Sequence, residues 1–204
     1  MATAHTLDDQ AETVMMRVIK GASLKGLVGI HPVRFEGRIK FIRPLLEVEK
    51  KEVIKYLRKK KIPFRIDRTN TEDRFLRNRV RNKILPYLAK VNPRLKRSLF
   101  NLSEHLREDY EFIEEEKNKR KNLIKSKKSL RYIGLADILL QPRALRKEIA
   151  REALKSAGGN IKKLTFRHWR DVDNFIRTKE TGKSIDLPGG VKIKKTRDRL
   201  IFSK

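Results

Sequence analysis

The chain has 204 residues, 38% of them hydrophobic, enough for one ordinary domain or two small ones around a modest core. Its 52 Lys and Arg against 25 Asp and Glu give a formal net charge of +27, a field that draws polyanions and puts nucleic acid first among partners. There is no cysteine, which excludes disulfides, thiolate zinc ligands and a cysteine nucleophile; with no long apolar stretch and no secretory signal, no membrane partner is expected and the cytoplasm is the default compartment.

The first predicted element is a helix from residue 7 to about residue 20, with Leu7, Ala11, Val14, Met15 and Val18 as an apolar stripe and Gly21 as its stop. Thr6 followed by Asp9 reads as a capping box. A glycine-punctuated loop follows over 21–30, lacking the glycine-lysine-hydroxyl ending of a P-loop. Residues 39–42 read as a short strand stopped by Pro44, and residues 49–60 as a helix burying Val53, Ile54 and Leu57.

Leu76, Val80, Ile84 and Leu88 then recur at helical spacing, with Arg77, Arg79 and Arg81 on other faces and Pro86 as a kink or stop. Beyond Pro93, the positions Leu95, Leu99, Leu102, Leu106, Tyr110 and Ile113 mark a long amphipathic helix. It runs into 117–131, eight basic residues without an acid, which reads as a solvated mobile loop able to touch phosphates. Two helices follow, one with Leu145, Ile149 and Leu154 ended by Gly158 and Gly159, the other with Trp169, Val172 and Ile176. Alternation around Pro188, Gly189 and Gly190 predicts a small antiparallel sheet at the end. These elements divide as 1–90, a connecting helix and basic loop over 91–131, and a small α+β domain over 132–204.

Two constellations carry chemistry. His5, Asp8, Asp9 and Glu12 lie at i, i+3, i+4 and i+7, so a helix stacks them along one side. Capping and the helix dipole account for acids at a helix start. The functional alternative is a cluster converging on a cation, either Mg²⁺ held with a nucleotide phosphate or a substrate ammonium; spacing does not choose. The second is Arg77 with Arg79 and Arg81, either a basic helix face or a set that stabilises a phosphoryl group or tRNA backbone. Lys119, Arg120 and Lys121 in the basic segment are further phosphate candidates, the loop at 67–70 draws attention beside the arginines, and His31, His105 and His168 show no metal spacing.

Taken together these blocks resemble the tRNA(Ile)-lysidine synthetases. "ATAHTLDDQAETVMMRVIKGASLKGLVGI" is similar to that family's internal histidine-and-acid motif, "IRPLLEV" to its next block, "DRTNTEDRFLRNRVRNKILPYLAKVNP" to a third block with an arginine-asparagine-arginine core, and "IDLPGGVKIKK" to the sheet of the following domain. The resemblance implies an α/β fold, the C-terminal part of an adenine nucleotide alpha hydrolase-like, Rossmann-like domain, followed by a mainly helical basic tRNA-binding domain with a small antiparallel sheet. It implies a ligase in tRNA modification. ATP, with Mg²⁺, adenylates carbon 2 of the wobble cytidine in the CAU-anticodon isoleucine tRNA; the side-chain amine of free lysine then displaces AMP to leave lysidine.

Carried over by position, the resemblance puts His5 near the nucleotide and activated base, Asp9 and Glu12 on the lysine, Asp8 in support of that cluster or of a metal, and Arg77 at the phosphate or cytidine with Asn78, Arg79 and Arg81 around it. Thr6 stands where the family often has a second histidine. The family's serine-glycine-glycine-x-aspartate-serine loop, which wraps the ATP pyrophosphate, lies upstream of these motifs and is not in this chain; the expectation is a fragment that does not adenylate alone and that pairs with itself through exposed sheet edges. The competing reading from charge alone is a non-catalytic basic RNA-binding module.

Overall fold

The computed structural model describes residues 1–65, 75–178 and 181–204, so the loop at 67–70 lies outside the described residues. Contacts divide the chain into two compact units, Met1–Tyr110 and Glu111–Lys204.

The first unit is built on α1 (Leu7–Ile19), which starts where the sequence places it because Asp9 accepts the Thr6 amide at 2.9 Å in a capping box. Extended residues before it are tied into place: the Thr3 amide donates to the Ile42 carbonyl at 3.0 Å and the Leu7 amide to the Val48 carbonyl at 3.0 Å. The expected loop over 21–30 contains a short helix, α2 (Leu24–Leu27). The strand at 39–42 forms as β2 (Ile39–Ile42), but it is the second half of a hairpin with β1 (Val33–Glu36), a strand the sequence reading leaves out although Val33 and Phe35 alternate with Arg34 and Glu36; all four of its residues are exposed. Among the described residues this hairpin is the unit's sole sheet; its one parallel link is an isolated bridge between Ala2 and Ile42.

Next comes α3 (Lys50–Lys59), begun by a Glu49–Glu52 capping box; contrary to expectation Val53, Ile54 and Leu57 remain partly exposed rather than buried. The segment after residue 75 is helical in three pieces: α4 (Leu76–Arg79), a π-turn over Val80–Ile84, and α5 (Leu85–Ala89). Pro86 has no amide to give and its ring crowds the carbonyl four residues back, so the wider turn immediately before it absorbs the conflict instead of a kink or stop. In that turn the Leu85 amide bonds to the Val80 carbonyl, which stacks these two residues on one face. The core accordingly contains Ala11, Val14, Val80, Leu85 and Leu99, with Leu85 buried where 3.6-residue spacing predicts Ile84.

The long helix α6 (Leu95–Lys119) forms as predicted, with Leu99 and Tyr110 buried; Leu102 is exposed and Phe100 and Ser103 take the inward positions instead. The division between units falls within this helix.

The second unit corrects the reading of 117–131. Instead of a mobile loop, this basic stretch ends α6, makes a 3₁₀ turn at Lys121–Leu123, and supplies two strands, β3 (Lys125–Lys127) and β4 (Leu130–Gly134). They join β5 (Ser184–Leu187), β6 (Val191–Lys195) and β7 (Arg199–Ser203) in one antiparallel sheet of order β3-β4-β7-β6-β5. This is a five-stranded sheet, larger than the small one expected in a mainly helical domain. An edge strand of Lys-Ser-Lys carries no apolar signal, and lysine at an edge deters pairing with other chains.

On one face of the sheet pack α7 (Leu135–Leu139), α8 (Arg143–Ser156) and α9 (Phe166–Arg177), enclosing a core that includes Ile133, Ile149, Leu154, Val172, Ile176, Ile193, Leu200 and Phe202. The turn between β5 and β6 needs glycine: Gly189 has φ +94°, and a Cβ there would meet the Asn160 carbonyl oxygen at 2.6 Å. Among the described residues of this unit four charged side chains are buried, Lys117, Arg146, Asp173 and Lys195, each with a partner; Lys117 donates to Glu114 at 2.6 Å. Lys195, 2% exposed, donates to the Ile176 carbonyl at 3.0 Å near the end of α9, and Arg146 donates to Asp173 at 3.0 Å.

Candidate functional site

The helical spacing of the first constellation works as predicted on α1, but its four members do not share one partner. Glu12, 3% exposed, meets two arginines from the helical segment after residue 75. Arg81 forks onto it, with Nε 2.6 Å from Oε1 and Nη2 2.9 Å from Oε2, while Arg77 donates Nε to Oε2 at 2.9 Å. Arg77 also reaches Asp9 with Nη2 at 2.7 Å, and Asp9 additionally caps the helix through Thr6. Two carboxylates and two guanidiniums thus form one charge-balanced cluster, bidentate geometry giving it direction as well as energy. The Glu12 hydrogen bond, against the cost of burial, raises the Arg81 pKa further above its already high value and keeps the guanidinium charged.

The arginine triplet divides by helical phase. Arg77 and Arg81, four residues apart, face α1, whereas Arg79 is exposed and Asn78 between them is buried. The side chain of Arg77 is 42% exposed and that of Arg81 26%, so the two differ in their access to solvent.

Asp8 stands apart from this cluster. It accepts the Lys50 amide at 2.7 Å on one oxygen and the Lys96 ammonium at 2.6 Å on the other. Burial pushes its carboxyl up, but the Lys50 amide and the Lys96 ammonium outweigh that and hold it below its ordinary 3.8. Both Asp8 oxygens accept from donors, and among the described residues no group of three or more His, Asp or Glu that could hold a metal forms around it. His5 is half-buried, with Nδ1 3.0 Å from the Thr3 hydroxyl.

The basic candidates of the second unit are also partly committed. Lys119 and Arg120 both bond to Glu116, at 2.6 and 2.5 Å, and together hold its carboxyl below the ordinary range. Lys121 sits exposed in the 3₁₀ turn.

One residue that positions the site escapes sequence reading. Gln10 is fully buried on α1; its Nε2 donates to the Val28 carbonyl at 3.1 Å and to Ser103 Oγ at 2.8 Å, and its Oε1 accepts the Ile30 amide at 2.7 Å. One side chain thereby fixes α1 against the 28–30 segment and α6 with every polar partner satisfied. Gly29 allows this approach: at φ +72°, a Cβ would lie 2.7 Å from Gln10 Oε1. The available signal was a polar residue interrupting an apolar stripe, and a single glutamine does not announce three partners distant in sequence.

Residues 1–88 match the PP-loop domain family, an ATP-utilising family of α/β architecture. Over its whole length the chain is 30% identical to a tRNA(Ile)-lysidine synthase of Geobacter sulfurreducens, covering 43% of that protein, and 34% identical to one of Caldanaerobacter subterraneus, again covering 43%. It is 34% identical over 99% of its length to a bifunctional protein TilS/HprT of Listeria innocua, of which it covers 32%. The chain therefore spans less than half the length of these relatives.

Proposed function

Because the chain belongs to the tRNA(Ile)-lysidine synthase family, we propose that it serves the ATP-dependent attachment of free lysine to carbon 2 of the wobble cytidine in the CAU-anticodon isoleucine tRNA. The observation that carries this reading is the convergence of Asp9 and Glu12 with Arg77 and Arg81 at the start of α1. In the first step the cytidine O2 attacks the α-phosphorus of ATP and pyrophosphate leaves. In the second, a neutral lysine amine attacks carbon 2, AMP leaves with the oxygen, and the amine gives up a proton. The residues must hold an ammonium at one end of lysine and phosphate oxygens at the other.

The cluster provides both kinds of group, currently neutralising each other. Arg77, the more exposed guanidinium, turns from Asp9 and Glu12 to phosphate oxygens; the carboxylates it leaves then take the ammonium. Arg81 stays forked on Glu12 and keeps that carboxylate oriented. His5, on the extended segment leading into α1, lies beside the activated base, and Asn78 and Arg79 support the arginine side. Asp8 braces α1 through Lys50 and Lys96. The reaction belongs in the cytoplasm, and among the described residues no helix is long and apolar enough to cross a membrane.

Lysine binding tests this. Titrating lysine into the chain in the presence of ATP and the CAU isoleucine tRNA should give an affinity that Asp9→Asn and Glu12→Gln each lower at least tenfold, without loss of tRNA binding. Unchanged lysine affinity in both variants removes these carboxylates from the substrate site. The RNA-binding module remains the second reading, favoured by the +27 charge; equal affinity for the isoleucine and methionine CAU tRNAs, with no lysine binding, would select it.

A further inference from the structure

Among the described residues of this unit, helices pack on one face of the five-stranded sheet, and register assigns the residues of the other. One row across that open face reads Lys125 opposite Tyr132, Tyr132 opposite Ile201, Ile201 opposite Lys194, and Lys194 opposite Ser184. The neighbouring row has Lys127 opposite Leu130 on one side, and Lys192 opposite both Ser203 and Asp186 on the other. All four lysines are exposed. With strands about 4.8 Å apart, the β3 pair and the β6 pair stand about 14 Å from each other across an apolar centre.

The acids on this surface are accounted for. Asp186 lies 3.3 Å from Lys192, and Asp198 is bonded by Arg199 at 2.6 Å. Arg199 also lies over the Tyr132 ring, 5.4 Å from its centroid, so the aromatic at the centre already carries a cation on one face. What the surface presents is two groups of lysine flanking a ring already paired with a cation.

We propose that this open sheet face docks the phosphate backbone of RNA, contacting it through Lys125, Lys127 and Lys194 without reading bases. This rests on the reading above that the chain handles tRNA. Lysines act as point charges on phosphates, and such contacts position a nucleic acid without selecting its sequence. Lys192 contributes less because Asp186 faces it.

The test uses the full chain and a transcript of the CAU isoleucine tRNA. The triple variant Lys125→Gln, Lys127→Gln, Lys194→Gln should lower the slope of log affinity against log salt by about 2 to 3 units and reduce affinity at least tenfold at low salt. A charge-matched control, Lys155→Gln, Lys162→Gln, Lys163→Gln, lies on α8 and the turn after it and should change the slope by less than about one unit. Asp186→Asn should tighten binding a few-fold, and the sheet variant should weaken isoleucine and methionine CAU tRNAs equally. If the two triples behave alike, the field is diffuse and the docking face is refuted. If wild type binds tRNA and the sheet triple binds as tightly, the placement fails while the tRNA reading stands; if wild type binds no tRNA, both fail. Loss of binding to phosphatidylglycerol vesicles in the sheet triple, with tRNA binding intact, would assign the face to a lipid surface and overturn the proposal.

Discussion

Each unit contains a buried carboxylate ringed by arginines, and the two clusters resemble each other in composition more than in setting. Asp173 has Arg146 at 3.0 Å, with Arg143 and Arg177 each at 3.3 Å. Glu12 has Arg77 and Arg81. Around Asp173, the closest arginine is itself 11% exposed while Arg143 and Arg177 are 66% and 53% exposed, and among the described residues all three meet the same single acid, so the group ties α8 to α9. Around Glu12, a second carboxylate joins in and Arg77 is 42% exposed, so partners have room to exchange. Buried carboxylate-arginine groups do not by themselves mark an active site; a second acceptor, Asp9, separates the two.

The strongest way to break the comparison is at the Asp173 cluster. Asp173→Ala leaves Arg146 buried without its carboxylate and should cost about 3–5 kcal/mol in urea unfolding, while Arg146→Met combined with Asp173→Leu should recover most of it. A loss equal to that of an exposed ion pair would show that the cluster is more open than its geometry indicates.

Glu12→Gln should have a smaller effect on stability, about 1–2 kcal/mol, because the amide still accepts a hydrogen bond and the half-open arginines regain water. Matching the cost of Asp173→Ala would place Glu12 among structural groups and weaken the case for exchange.

The smallest effect belongs to Asp8. Its folded carboxyl lies below 3.8, so its contribution is fully present above about pH 4 and disappears as pH falls through the folded value. Lys96 is 45% exposed, which limits that contribution to under about 1 kcal/mol. The difference in urea midpoint between wild type and Asp8→Asn should shrink between pH 5 and pH 3; a constant difference would locate the effect in packing.

The two clusters also differ in how they show in the sequence. Asp8, Asp9 and Glu12 stand out because helical spacing gathers them within one and a half turns, and α1 begins where the capping pair says it does. The Arg146–Asp173 pair bridges 27 positions between two separate helices, a separation without a local pattern. Gln10 is hidden for the same reason. The amphipathic helices α8 and α9 and the turn before β6 were legible from periodicity and glycine, whereas β3 was masked by lysines that belong on an open face. The joining of Arg77 to Glu12 was not visible either: sequence supplied both groups as candidates, and only the fold shows that they are each other's partners.

The π-turn over Val80–Ile84 bears on how this chain tolerates changes of length. It amounts to an α-helix carrying one supernumerary residue. Removing Asn82 alone would keep Val80 and Leu85 stacked, now four apart, but would press the Pro86 ring against the Arg81 carbonyl. Removing Asn82 together with Pro86→Ala relieves that clash and returns a regular helix with the same residues facing inward. The extra residue and the proline are therefore a matched insertion, each tolerable because of the other, and a relative of this chain that has lost one should have lost both.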